Sequence, residues 1–305
     1  MSAASNPAHR IPIIDLFAGP GGLGEGFSAF RPRGKTPPFR IALSIEKESS
    51  ARRTLKLRAF FRQFEPSPAT EAQGGVPTNY FRFLRRELGN DKAPSLREDA
   101  LFSLHPEAAA KADQEAWQAE LGSADFPHSK VLERITASLK NAGAKNRESP
   151  WVLIGGPPCQ PFSLAGRSRN KGKADYTLEG DSRHTLYMEY LRVIAGHWPP
   201  VFVMENVKGM LSAKVNGKPL FGQVLEDLSN PAQAIGSITK NACRYRLYSL
   251  TVPPLAQVLP SPDAFALPDD PSAFLVKTEK LGLPQNRHRV IILGVRHDLG
   301  AIQPG

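Results

Sequence analysis

Residues 11–17, Ile-Pro-Ile-Ile-Asp-Leu-Phe, form a short β-branched apolar run that breaks directly into Ala18-Gly19-Pro-Gly21-Gly22-Leu-Gly24-Glu-Gly26. A strand that ends on clustered glycines and resumes as a helix is the ligand-binding corner of open α/β sheets, because glycine lets the backbone turn sharply and a ligand approach closely. No Gly-Lys-Ser/Thr follows, which excludes a phosphate loop, and the spacing is a poor dinucleotide fingerprint. Four more apolar runs share the character of the first, at residues 39–45, 151–154, 201–204 and 290–295. Short continuous runs of this kind suit strands covered on both faces.

Helical patterns lie between them. Residues 129–141 carry Val131, Leu132, Ile135 and Leu139 at helical spacing, with Gly143 placed to end the helix. Residues 185–197 carry Leu186, Tyr190, Leu191 and Ile194 before Pro199 and Pro200 forbid continuation. The alternation predicts an α/β fold with a doubly wound, mostly parallel sheet. Residues 245–250 and 289–295 are expected to close it as an antiparallel hairpin with a long connection. Residues 60–146 are more polar and are interrupted by proline and glycine, so they read as a helical insertion on a single domain spanning 1–305. Pro106 at a first helical position predicts an exposed helix through residues 108–121. The proline-rich residues 253–271 read as an irregular loop.

The net charge of +10 and pI near 9.7 favour a polyanionic partner. With only Cys159 and Cys243 in the chain, a disulfide framework or a cysteine-based zinc site is not expected. No metal and no membrane span are expected, and Met1 to Arg10 lacks a signal-peptide pattern.

The second informative loop is Gly155-Gly156-Pro157-Pro158-Cys159-Gln160-Pro161-Phe162-Ser163, which follows the run ending at Ile154. In a doubly wound sheet it places a thiol at the carboxyl end of a strand, on the ligand-binding edge. A buried packing cysteine is the plainer alternative; it explains neither the glycine and proline framing nor the polar neighbours. Cys243 lacks such framing and reads as packing. Glu46 closes the second run, where a carboxylate suits the two hydroxyls of a ribose.

The run from Gly156 to Ser163 resembles the catalytic motif of the DNA cytosine-5 methyltransferases, and Asp15 to Gly22 resembles their cofactor loop. Asp181-Ser-Arg183 with Leu186, Glu205-Asn206-Val207 and Gln285-Asn286-Arg287-His288-Arg289 resemble further motifs of that family, in its order. The resemblance spans residues 11 to about 295. It implies the Rossmann-like fold of S-adenosylmethionine-dependent methyltransferases, double-stranded DNA as substrate, and S-adenosyl-L-methionine as methyl donor, leaving S-adenosyl-L-homocysteine.

The implied reaction explains the residue types. Carbon 5 of cytosine is too electron-poor to attack a methyl donor until a thiolate adds to carbon 6, a role that falls to Cys159. Glu205 would stabilise the charge developing at ring nitrogen 3, and Asn206 would position the cysteine loop by hydrogen bonds. Arg289, with Arg287 nearby, would reach the base carbonyl with a fixed fork of donors. Phe17, Ala18, Gly19, Gly21, Gly22, Glu46, Pro158 and Leu186 are the implied cofactor contacts. The target base must leave the stack. Residues 164–179, with Arg167, Arg169, Lys171 and Lys173, resemble a basic loop that closes over it beside Gln160 and Ser163. The family's adenine-contacting aspartate is not located by these motifs; Asp125 is a candidate.

Val295 is followed by ten residues, whereas the family continues into a target-recognition region and a final motif. Neither is visible, which leaves a fragment, one subunit of a split enzyme whose second polypeptide supplies the rest, or a degenerate relative; the intact catalytic residues favour the first two. Two rival readings stand beside this one: a transfer-RNA cytosine-5 methyltransferase, and a non-catalytic DNA-binding or regulatory subunit that keeps the fold. The resemblance places the chain in a bacterial restriction-modification setting, in the cytoplasm with the nucleoid.

Overall fold

Alternate residues of the first run face opposite ways, and both faces find apolar cover. Ile14 and Leu16 join one large buried cluster, while Ile13 joins another with Ile41, Val152, Ile154 and Val203. Burying each such side chain contributes about 1.5–3 kcal/mol, so neither face of the strand tolerates water. The computed structural model describes residues 10–32, 36–64, 74–89, 94–158, 182–215, 218–237, 243–251 and 270–299. Cys159, Gln160, Ser163, Arg167, Arg169 and the whole 164–179 loop lie outside the described residues, as does most of 253–271.

The strands are β1 (Ile11–Leu16), β2 (Phe39–Glu46), β3 (Ala116–Gln118), β4 (Val152–Gly155), β5 (Val201–Val207), β6 (Lys214–Val215), β7 (Lys218–Pro219), β8 (Tyr245–Tyr248), β9 (Leu275–Lys277) and β10 (His288–Arg296). Among the described residues, the main sheet runs β3-β2-β1-β4-β5-β10-β8, with β9 also paired to β10, and β6 and β7 form a separate ribbon. Strands β3 through β5 are parallel, and β10 runs antiparallel to β5, β8 and β9. The expected antiparallel hairpin is therefore present, with β10 wedged between β5 and β8.

Helix His128–Asn141 buries Val131, Ile135 and Leu139, as the spacing predicted. Gly143 ends it at φ 88°, with Gly143 N donating to Lys140 O and Ala144 N to Leu139 O, a left-handed stop that satisfies two terminal carbonyls. Helix Ser182–His197 covers the same face of the sheet with Tyr190, Leu191 and Ile194. Helix Gly22–Ala29 covers the other through Leu23 and Phe27. Among the described residues, no helix is long and apolar enough to cross a membrane.

The helix expected through residues 108–121 differs from the one observed. It begins at Pro106 but stops at Glu115, and Ala116–Gln118 becomes the edge strand β3. Pairing with β2 in the register Ser44↔Ala116, Ile45↔Trp117 supplies the backbone with partners. Arg52 Nε adds a 3.0 Å bond to Ala116 O. These tertiary partners outweigh the helix preference of the alanine-rich stretch. Residues 60–146 thus contribute both a sheet strand and a core helix, alongside a smaller apolar cluster around Phe60, Leu101 and Phe102.

Candidate active site

The parallel register decides which residues share the carboxyl edge. Trp117 pairs with Ile45, Ile45 with Leu16, Leu16 with Gly155, and Gly155 with Met204. The next residue along β2, β1, β4 and β5 is Glu46, Phe17, Gly156 and Glu205, so these four emerge side by side.

At the β1–β2 end, Phe17 takes a positive φ of 55°, which costs a non-glycine residue roughly 1–2 kcal/mol. Ala18 N still bonds Ile45 O, and Gly21 N bonds Ala18 O, which closes the turn. Gly21 has φ 88°, and a Cβ there would lie 2.8 Å from Leu55 Cδ2, so the position demands glycine. Glu46 accepts backbone N–H bonds from Gly19 and Glu48, each 2.8 Å. Beneath this loop Asp15 is buried, one carboxylate oxygen having no hydrogen-bond partner. Burial pushes its pKa up to about 8, opposed by the nearby Arg62 guanidinium. Arg62 itself pairs with Glu25, on the helix after the glycine loop, and with Glu115, just before β3.

A cavity opens beside this loop. Its walls are Phe17, Ile45, Glu46, Lys47, Ala119, Glu120, Leu121, Gly156, Pro158 and Leu186. Four sequence-predicted cofactor residues, Phe17, Glu46, Pro158 and Leu186, therefore meet at one place. Ala18, Gly19, Gly21 and Gly22 lie in the turn that supports it rather than in its walls. Asp125 is exposed and is not a wall residue. Glu120 is, and sequence reasoning missed it together with Ala119 and Leu121. The available signal was the Trp117-Gln-Ala-Glu-Leu121 alternation, which was absorbed into the expected helix.

At the β5–β10 end, Glu205 is about one-quarter exposed and meets Arg289 Nε at 2.8 Å and Arg287 Nη2 at 3.7 Å. The antiparallel register explains this: Ile291 faces Glu205 and Arg289 faces Val207, so Arg289 lies two residues along on the same side as Ile291. Thr278 fixes the approach to the strand, its hydroxyl donating to Gln285 O at 2.5 Å and accepting from Arg287 N at 3.1 Å. Asn206 is buried; its amide donates to Pro157 O at 3.2 Å and its carbonyl accepts from Val207 N at 2.8 Å. The cysteine loop is thus tied to β5 two residues before Cys159. A Cβ on Gly156 would lie 3.1 Å from Glu205 Oε2, so glycine permits this close approach. Among the described residues, no cluster of three potential metal ligands occurs. Cys243 is half-buried, and burial pushes its thiol pKa up; it packs against the large core cluster.

The doubly wound, mostly parallel sheet with an antiparallel strand wedged near its end is a Rossmann-like α/β fold, with a glycine corner and a carboxylate on its carboxyl edge. The model of the C-5 cytosine-specific DNA methylases matches residues 104–232 of this chain. It is 28% identical over 302 residues to the type II methyltransferase M.Bpa9945I of Bacillus paralicheniformis, covering 96% of this chain and 55% of that protein. It is 34% identical over 145 residues to the type II methyltransferase M.AquIA of Picosynechococcus, covering 48% of this chain and 43% of the relative. A DNA-cytosine methyltransferase of Escherichia coli is 31% identical over 150 residues, covering 48% and 25%. The chain spans about half the length of the first of these relatives.

Proposed function

We propose that this chain binds S-adenosyl-L-methionine in the Phe17–Glu46–Leu186 cavity and methylates carbon 5 of cytosine in DNA, with Cys159 as nucleophile, as part of a restriction-modification system. The observation that carries the reading is the shared row: a carboxylate flanked by two arginines stands on the strand next to Gly156 of the cavity wall, and Asn206 tethers the loop at Pro157 between them. The walls suit the cofactor. Phe17, Pro158 and Leu186 offer apolar surface to an adenine ring, and Glu46, held by two backbone donors, keeps lone pairs for ribose hydroxyls. When bound, the cofactor supplies an electrophilic methyl group on a cationic sulfur.

In this reading the Cys159 thiolate adds to carbon 6 of a cytosine flipped from the stack, and carbon 5 becomes the nucleophile. Glu205, carrying a proton, donates it to ring nitrogen 3 as negative charge develops there, and Arg289 donates to the carbonyl at position 2. After methyl transfer, water accepts the carbon-5 proton as the carbon 6–sulfur bond breaks, which expels the thiolate and restores the ring. The basic character of residues 164–179, Arg167 and Arg169 among them, suits contact with DNA phosphate.

The test is transfer of labelled methyl from S-adenosylmethionine to mixed-sequence DNA, comparing the chain with Cys159→Ala. Transfer that disappears in the variant, together with covalent trapping on 5-fluorocytosine DNA, is expected. Transfer to transfer RNA but not to DNA would overturn the substrate assignment, and transfer surviving Cys159→Ala would overturn the nucleophile.

A further inference from the structure

A second cavity, of about 420 Å³, lies at the amino ends of β4 and β5, the edge opposite the candidate active site. It opens between the last turns of helices His128–Asn141 and Ser182–His197 and the loop leading to Trp151. Its walls include Lys140, Lys145 and Arg147 and no acidic residue. Glu148, next along the chain, is exposed and outside the walls.

Basic residues at a helix C-terminus often do no more than offset its dipole, so the charges need weighing. Each helix end carries about half a negative charge. Two ends offset about one of the three cations, leaving roughly two positive charges facing the cavity without a counterpart.

The walls are also held in place. Arg296 is 2% exposed, and its Nη1 donates to Arg147 O at 3.1 Å and to Trp198 O at 2.9 Å, while its Nε meets Asp298 at 2.7 Å. One buried guanidinium thus ties both sides of the opening together. The Arg147 guanidinium lies 3.5 Å from the centre of the Trp198 ring, a flat stack of the kind on which nucleic-acid bases rest. His197 meets Thr136 Oγ1 through Nε2 at 3.0 Å, and its buried Nδ1 has no hydrogen-bond partner.

We propose that this cavity binds a nucleoside phosphomonoester, the phosphate between Lys140 and Lys145 and the base against the Arg147–Trp198 stack. A phosphomonoester carries a charge of about −1.5 to −2 at neutral pH, matching the two uncompensated positive charges; a phosphodiester carries only one. The same chemistry has two sources, a free nucleoside monophosphate or the 5′-phosphorylated end of a DNA strand. The site is independent of the methyl-transfer reading and can fail or stand without it.

The experiment is calorimetric titration with thymidine 5′-monophosphate and with thymidine. S-adenosylhomocysteine is present throughout to occupy the cofactor cavity, and a pyrimidine probe avoids imitating adenosine there. Oligothymidine with and without a 5′-phosphate is titrated in parallel. The monophosphate should bind at least about tenfold more tightly than thymidine, as a charge-assisted contact requires. The Lys140→Glu/Lys145→Glu double variant should lose at least about tenfold in affinity, with a melting temperature lowered by only a few degrees through the changed charge at the helix end. Lys145→Gln, a milder change in an exposed loop, should lose about threefold. Preference for the 5′-phosphorylated strand would also support the site and name a DNA end as its source. Equal binding of thymidine and its monophosphate, affinity unmoved by the lysine variants, or no binding of either phosphorylated probe would overturn the proposal.

Discussion

Glu46 and Glu205 stand at the ends of one row, yet they are held by different kinds of partner. Glu46 is gripped by the backbone N–H groups of Gly19 and Glu48, donors that cannot move without the loop. Glu205 is faced by the side chains of Arg287 and Arg289, which are 50% and 26% exposed and whose guanidinium groups can move without moving the backbone. A fixed carboxylate suits a ligand that is the same in every turnover. A carboxylate whose partners are long exposed side chains suits a base that arrives, reacts and leaves, because the arginines can turn from Glu205 to the base without disturbing the sheet.

This contrast makes predictions that separate the two ends. Glu205→Gln should lower the rate of methyl transfer about 10²–10³-fold, measured at saturating cofactor, with cofactor affinity held within about twofold. Glu46→Ala should do the reverse, weakening cofactor binding about 10–100-fold through loss of charge-assisted hydrogen bonds and leaving the saturated rate nearly intact. If Glu205→Gln weakened cofactor binding as strongly as Glu46→Ala, the division would collapse. Gly21→Ala should destabilise the fold by about 1–3 kcal/mol, from positive φ and the Leu55 contact, seen as a lower denaturant midpoint. Asn206→Ala should cost about 1–2 kcal/mol by leaving the buried Pro157 carbonyl without its donor, and should slow transfer more than it weakens cofactor binding.

A smaller effect sharpens the contrast through pH. Asp15, beneath the Glu46 end, has its folded-state pKa raised to about 8, so the native chain holds a proton that the unfolded chain has released. Its contribution to stability is complete below the unfolded carboxylate pKa and is lost as pH rises toward about 8. His197 has the opposite sign: its pKa is lowered to about 4 by burial, so its contribution is complete above the unfolded imidazole pKa and is lost as pH falls. Above pH 6.5, the unfolded imidazole value, the Asp15 slope should persist while that of His197 is gone. Asp15→Asn should flatten it in denaturant titrations between there and pH 8, and a slope that survives in the variant would refute the assignment.

The parts of this architecture that were legible in the sequence were those written by local chemistry. β-branched runs bounded by glycine or proline marked β1, β2, β4, β5 and β10, and Gly143 marked a helix end that the structure closes by the expected bonds. The meeting of Phe17, Glu46, Pro158 and Leu186 at one cavity was implied by resemblance and is realised by strand register. β3 was not legible. Three residues following an alanine-rich helix carry too little pattern, and what turns them into a strand is β2, some seventy positions away in the chain. For the same reason Glu120 went unseen. The ion pairs of Arg62 with Glu25 and Glu115 were equally hidden, since each joins segments that only the folded chain brings together.

The wedged position of β10 also bears on how the chain is made. Synthesis delivers β5 and β8 first, and neither can hydrogen-bond the other across the gap that β10 will fill. The nascent chain therefore holds two open sheet edges until its last described strand emerges, and such edges invite pairing with other chains. The same strand delivers Arg289 to Glu205. The residues of the glycine corner and its cavity are therefore synthesised before Arg287 and Arg289, and a chain stalled on the ribosome before β10 would present Glu205 without either arginine.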